Sequence, residues 1–314
     1  VIDLRRSPTV VVTSGVSLTL DGRSLRYNQR RLEVWFTAMS DAQQSSQSSE
    51  EIRMPKGLVR YRTHNGVATI TLDNAPANAY SHDMMRDIDE AVITARFDPK
   101  VHVIVVTGAG EKIFCAGADI RMLEQADPTW KYYFCLHANE TLSRLEQTPK
   151  LVIAAINGTC VGGGLEIALA ADLRVAKKGP FKFGLPEVAL GVLPGTGGTQ
   201  RLARVVSKSK AIRLMATGEL FGVERAIDLG LVDEAFEAEG FASSVQAFAE
   251  GFCPPAKCAS AVGRIKRAVQ TGVEIPLEYG LALERELQKE LFDGADAREG
   301  LAAYVQKRKP QFGQ

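Results

Sequence analysis

Short runs of branched apolar residues alternate along this chain with longer stretches in which apolar positions recur every three or four residues. The segment from Leu58 to Leu72 reads as strand-rich, and the periodicity from about His82 to Phe97 predicts a helix. Val101 to Thr107 is again strand-like. Leu151-Val-Ile-Ala-Ala-Ile156 is a buried strand by composition, running into a turn at Asn157-Gly158. From Gly164 onward, Leu165, Ile167, Ala168, Leu169, Ala170 and Ala171 form an apolar stretch closed by Asp172, which puts Gly163 at or just before a helix N-terminus. Leu277, Leu281, Leu283, Leu287 and Leu291 predict helices in the last third. Strands alternating with helices in this way argue for an α/β domain.

Glycine changes the picture from fold to chemistry. Glu166 closes Val161-Gly-Gly-Gly-Leu-Glu166 and Glu187 closes Phe183-Gly-Leu-Pro-Glu187. A helix beginning at Gly163 offers unpaired N–H groups and the positive end of a dipole, and glycine lets a carbonyl come close. A second strand, loop and helix sequence runs from Val103-Ile-Val-Val-Thr107 through Gly108-Ala-Gly110 to Phe114-Cys-Ala-Gly-Ala-Asp-Ile120. Two such loops can each aim one N–H at the same oxygen, as an enolate or tetrahedral oxyanion requires, while a carboxylate pair moves protons. Taken singly, each glycine cluster reads as a tight turn rather than a catalytic cradle.

Phe114-Cys-Ala-Gly-Ala-Asp-Ile120, Ala155-Ile-Asn-Gly158, Gly162-Gly-Gly-Leu-Glu166, Gly184-Leu-Pro-Glu187 and Pro194-Gly-Thr-Gly-Gly-Thr-Gln-Arg-Leu202 stand in an order and spacing that resembles the crotonase (enoyl-CoA hydratase/isomerase) superfamily. The resemblance covers about residues 58 to 312 and includes the C-terminal run from Arg298 to Lys309. It implies a ββα spiral core over 57–254 and a C-terminal helical trimerisation region over 255–314. By the same resemblance, the N–H groups of Ala118 and Gly163 form an oxyanion hole for an acyl-CoA thioester. Glu166 activates water for attack at C3, Glu187 delivers a proton to C2, and the N–H of Gly195 helps hold the water. Because both glutamates are present, the implied reaction is hydration of a trans-2-enoyl-CoA. An isomerase, a branched-chain (methylglutaconyl-CoA type) hydratase and an RNA-binding relative are the alternatives.

Coenzyme A arrives as part of the substrate, so no separate cofactor and no metal is expected. The resemblance sets Ala116, Gly117 and Ala118 against the adenine, with Arg121 on the phosphates and Phe292 and Lys307 completing the pocket from the C-terminal helices, of this or a neighbouring subunit. Pro76-Ala-Asn-Ala79 matches a family turn, but the lysine that some members carry before it is absent. Leu185 stands where short-chain hydratases often have glutamine. Val175 to Lys182 is one residue longer than in those enzymes, and turn-like Lys177-Lys-Gly-Pro180 predicts that the extra residue sits in an exposed hairpin. Trp130, Tyr132, Tyr133 and Phe134 fall where the family's acyl pocket varies, and they read as either its end wall or helix packing.

At 314 residues, 45% hydrophobic, 24% charged and net charge +1, the chain can bury a large core and carries no overall bias toward nucleic acid or anionic membrane. The early helix at Asp83 to Val92 has more acid than base, which opposes RNA binding. Five scattered cysteines and four scattered histidines fit reduced thiols and no metal or triad pattern. Residues 1–56 lack the family pattern. Residues 41–50 read as a polar linker, Thr9-Val-Val-Val-Thr13 as a strand-like piece, and the whole as a disordered tail from an over-long reading frame with starts at Met39 or Met54. A transit peptide over 1–53 is the rival reading. The expected location is cytoplasmic, or the mitochondrial matrix under that rival, and the expected assembly a homotrimer or homohexamer.

Overall fold

The computed structural model describes residues 18–20, 23–25 and 50–313. Contacts divide the chain between Ser48 and Ser49. In the first unit, β1 (Leu18–Leu20) and β2 (Arg23–Leu25) pair antiparallel, within a stretch expected to lack structure. The strand-like run at 9–13, the linker at 41–49 and the remaining expectations for the N-terminal extension lie outside the described residues.

The second unit starts earlier than the 56/57 boundary expected from the sequence. β3 (Ile52–Arg53) pairs with β4 (Val59–His64), and Met54 is buried. Asp87, itself buried in the first helix, accepts the N–H groups of Lys56 and Leu58 at 2.8 and 2.9 Å and so ties this entry segment to the core. Nor do contacts part at 254/255. Lys266 and Gln270 in the helix Ala259–Gly272 both bind Asp172 at 2.8 Å, which fastens the C-terminal helices to the sheet.

Seven strands form the main sheet in the order β12-β10-β8-β6-β5-β4-β3, with β5 at Val67–Leu72, β6 at Val103–Gly108, β8 at Leu151–Ile156, β10 at Leu173–Lys177 and β12 at Glu234–Phe236. Pairing is antiparallel from β3 to β5 and parallel from β5 to β12. Both faces are covered, which is why β6 and β8 carry continuous apolar runs. Alternate residues go to opposite sides: Ile104, Val106, Val152, Ala154 and Ile156 join one core cluster, and Val103, Val105, Leu151, Ile153 and Ala155 the other.

A smaller parallel sheet, ordered β11-β9-β7, is built from β7 (Ile113–Cys115), β9 (Thr159–Val161) and β11 (Phe183–Gly184). Each of three successive repeats sends one strand to the large sheet and the next to the small one: β6 then β7, β8 then β9, β10 then β11. A helical turn follows each pair, at Ile120–Glu124, Gly163–Leu169 and Glu187–Leu190. This is the ββα spiral. The segment between β10 and β11 is exposed at Lys178 to Pro180 as expected, but it crosses between sheets and is not a hairpin, because its strands take different partners.

Local chemistry starts the helices where the periodicity does. The Ser81 hydroxyl accepts from Met84 N–H at the start of His82–Phe97, and Asp127 caps Pro128–Glu146 with proline in the first turn. In Leu277–Phe292 only Leu287 of the leucine series is buried, whereas Leu277 and Leu281 are exposed on the single chain.

Candidate active site

The three loops that leave β7, β9 and β11 emerge side by side, because those strands are parallel neighbours at about 4.8 Å spacing. The first carries Ala116 to Ala118, the second Gly162 and Gly163, the third Glu187. Gly117 has φ +95°, and a Cβ there would lie 3.1 Å from the Gly163 nitrogen, so the first two loops touch. At Gly164 a Cβ would sit 2.1 Å from the Cys115 carbonyl oxygen, so only glycine admits this approach. The N–H groups of Ala118 and Gly163 meet no protein acceptor among the described residues.

Glu166 projects from the first turn of Gly163–Leu169 and is 2% exposed. Its Oε1 accepts N–H groups from Thr196 and Gly198, each at 2.7 Å. Burial pushes its carboxyl above the ordinary range, and those two N–H bonds oppose the push. Glu187 opens the turn Glu187–Leu190, which closes on Gly191 in the left-handed region at φ +70°. A Cβ on Gly162 would come 3.2 Å from Glu187 Oε1. Glu187 Oε2 is buried without a hydrogen-bond partner among the described residues, and the carboxyl is pushed up to about 7, chiefly by burial with the nearby Glu166 charge adding. A buried carboxylate fastened by N–H donors beside a second carboxyl that holds its proton up to about pH 7 has the chemistry to serve as a base and an acid in one site.

Sequence reasoning also missed participants. Thr196 and Gly198 lie within the quoted 194–202 motif, where only Gly195 was singled out. Gly195 accepts at its carbonyl from Asn139 at 3.4 Å and sits against the Cys135 sulfur. Lys131, on Pro128–Glu146, favours the charged form of both glutamates and places its ammonium 5.1 Å from the Phe134 ring centroid. Phe134 stacks between Trp130 and Tyr80, whereas Tyr132 and Tyr133 are exposed, so half of the aromatic cluster lies inside and half outside. A lysine three residues before Phe134 was the available signal.

Ala116 and Gly117 share the loop that carries Ala118, and Arg121 stands in the helical turn Ile120–Glu124 that follows it, with Ala116 and Arg121 exposed. Phe292 and Lys307 are also exposed, and no hydrogen bond, ion pair or ring contact joins either to residues 116–121 among the described residues. Phe292 instead lines a groove with Ile265, Val269 and Leu287. No helix among the described residues is long and apolar enough to cross a membrane.

Comparison with known proteins gives a consistent result. Residues 62–314 match the model of the enoyl-CoA hydratase/isomerase family. The short-chain-enoyl-CoA hydratase of Clostridium acetobutylicum is 35% identical over 244 residues, covering 77% of this chain and 92% of that protein. The (E)-benzylidenesuccinyl-CoA hydratase of Thauera aromatica is 36% identical over 255 residues, covering 81% and 98%. The crystal structure of an enoyl-CoA hydratase from Geobacillus kaustophilus superposes with a TM-score of 0.80 at 40% identity, covering 84% of this chain and 99% of that one.

Proposed function

This chain belongs to the enoyl-CoA hydratase/isomerase family, and we propose that it adds water across the C2=C3 bond of a trans-2-enoyl-CoA to give a 3-hydroxyacyl-CoA. The observation that carries the reading is the pair Glu166 and Glu187, one bound by two N–H groups and one with a buried oxygen that meets no partner among the described residues, beside the unpaired N–H groups of Ala118 and Gly163.

In this reading the thioester oxygen takes the two N–H groups, which draws electron density from C3. Glu166 removes a proton from a water that Gly195 N–H helps hold, and the water oxygen bonds to C3. The C2=C3 π pair moves toward the thioester as an enolate, and Glu187 gives its proton to C2. A proton then passes from Glu166 back to Glu187 before the next turnover. Each oxyanion donor contributes on the order of 3 kcal/mol, because its bond strengthens as negative charge develops on the oxygen. For the coenzyme A portion the reading uses Ala116, Gly117 and Arg121 from this chain. Phe292 and Lys307 would come from a neighbouring copy in a homotrimer or homohexamer. Exposed Val269, Val273, Leu277, Tyr279, Leu301 and Tyr304 support such self-assembly, since large apolar patches rarely stay uncovered.

The test follows the loss of conjugated-thioester absorbance of crotonyl-CoA and of longer and branched enoyl-CoAs, for the parent and for Glu166→Gln. Hydration by the parent and its loss in a folded variant support the assignment. An inactive parent on all these substrates, or an unimpaired Glu166→Gln, overturns it.

A further inference from the structure

Behind Glu166 lies a pair of hydroxyls that the reaction above does not use. Tyr80 and Thr196 are each 2% exposed, and their hydroxyl oxygens are 2.9 Å apart. The Thr196 backbone N–H already binds Glu166 Oε1 at 2.7 Å, which sets its hydroxyl beside the same carboxylate. We propose that Tyr80 and Thr196 are positioning residues, a two-hydroxyl relay that gives the Glu166 carboxylate a third hydrogen-bond donor and locks it to the oxyanion loops. The proposal rests on Glu166 acting as the base.

The direction of the relay follows from the groups available. A carboxylate only accepts, so the single Thr196 hydroxyl proton points to Glu166 and leaves an oxygen lone pair to receive the Tyr80 O–H. In the reverse orientation the phenol proton would have no acceptor among the described residues, deep in the core, at a cost a folded protein avoids. Full burial and the Glu166 charge push the Tyr80 phenol well above its ordinary value, so it stays a donor. Two hydroxyls in series polarise each other and strengthen the bond to the carboxylate.

Tyr80 also reaches both oxyanion donors. Its backbone N–H binds the Gly117 carbonyl at 2.9 Å, and its own carbonyl accepts from Asp119 at 3.0 Å, bracketing Ala118. Its ring lies so close to Gly163 that a Cβ there would be 2.4 Å from a ring carbon. Phe134 stacks on it at 5.8 Å, so the phenol cannot swing away. Packing alone does not ask for these hydroxyls, since phenylalanine would keep the ring stack and valine matches threonine in shape. The other titratable groups facing this corner are Lys131 and Glu187 toward Glu166, and Cys115 and Cys135 toward Tyr80.

The experiment is the pH dependence of kcat/KM on crotonyl-CoA, with circular dichroism of each variant. In Thr196→Val the acid limb should move up by about one pH unit, because losing a donor to the charged form makes Glu166 easier to protonate. Tyr80→Phe should move it by less in the same direction, and Thr196→Ser should restore it, with the alkaline limb unmoved throughout. An acid limb unchanged in Thr196→Val, whatever happens to kcat, overturns the relay. Should that variant fail to fold, Tyr80→Phe decides in the same way, because it keeps the ring. Glu166→Gln is measured alongside: if it retains activity, the base assignment has failed, whereas its inactivity with an unmoved limb in Thr196→Val removes the relay alone.

Discussion

Glu187→Gln should lower activity and stabilise the fold at alkaline pH, and the two effects have one cause. The Glu187 carboxyl is pushed up to about 7 by burial, and its Oε2 has no partner among the described residues. In the proposed reaction it acts as the acid and must be protonated to deliver its proton to C2. With the value near 7, about one molecule in eleven is competent at pH 8, so kcat/KM of the parent should fall about tenfold per pH unit above 7. Glutamine mimics the neutral acid in shape but carries no transferable proton, so the loss at pH 6 should be about 10²- to 10⁴-fold. The stability sign runs the other way. A carboxyl whose folded value exceeds its unfolded value holds more protons when folded, and the stability this supplies is lost as pH rises through about 7. Glutamine cannot ionise, so the Tm difference between variant and parent should shift in the variant's favour between pH 5 and pH 8. Kinetics of crotonyl-CoA hydration and thermal melts at both pH values test the pair of claims. An alkaline limb that survives in Glu187→Gln, or a Tm difference independent of pH, refutes the reasoning.

Lys131 acts on both glutamates, so Lys131→Met should move both limbs of the pH profile upward, unlike Thr196→Val; a profile that does not move would place the ammonium too far away to matter. Lys266 is buried against Asp172 at 2.8 Å, and Lys266→Met should destabilise the fold by roughly 3–5 kcal/mol by leaving that carboxylate buried without its cation. Urea titration reads this directly, and a loss under about 1 kcal/mol would show the pair to be dispensable.

Much of this molecule is written in local signals. The helix His82–Phe97 and the strand Leu151–Ile156 emerge at the bounds their periodicity predicts, because amphipathic period and branched apolar runs are properties of neighbouring residues. The same holds for glycines at the strand exits, where a side chain would strike the facing loop. The turn residues after Lys177 predict a hairpin, yet the chain crosses between sheets there, because turn residues announce a reversal without saying which sheet the next strand joins. The motif resemblance implies that Ala118, Gly163 and Glu187 share a site, and the tertiary structure supplies the physical reason: β7, β9 and β11 lie side by side, so the loops that leave them emerge together. It alone brought the N–H groups of Thr196 and Gly198, 30 and 32 residues away, onto Glu166, and joined Tyr80 to Thr196 across 116 positions. A hydroxyl or an amide looks alike in sequence wherever it falls, and its role is set by what folding places within about 3 Å of it.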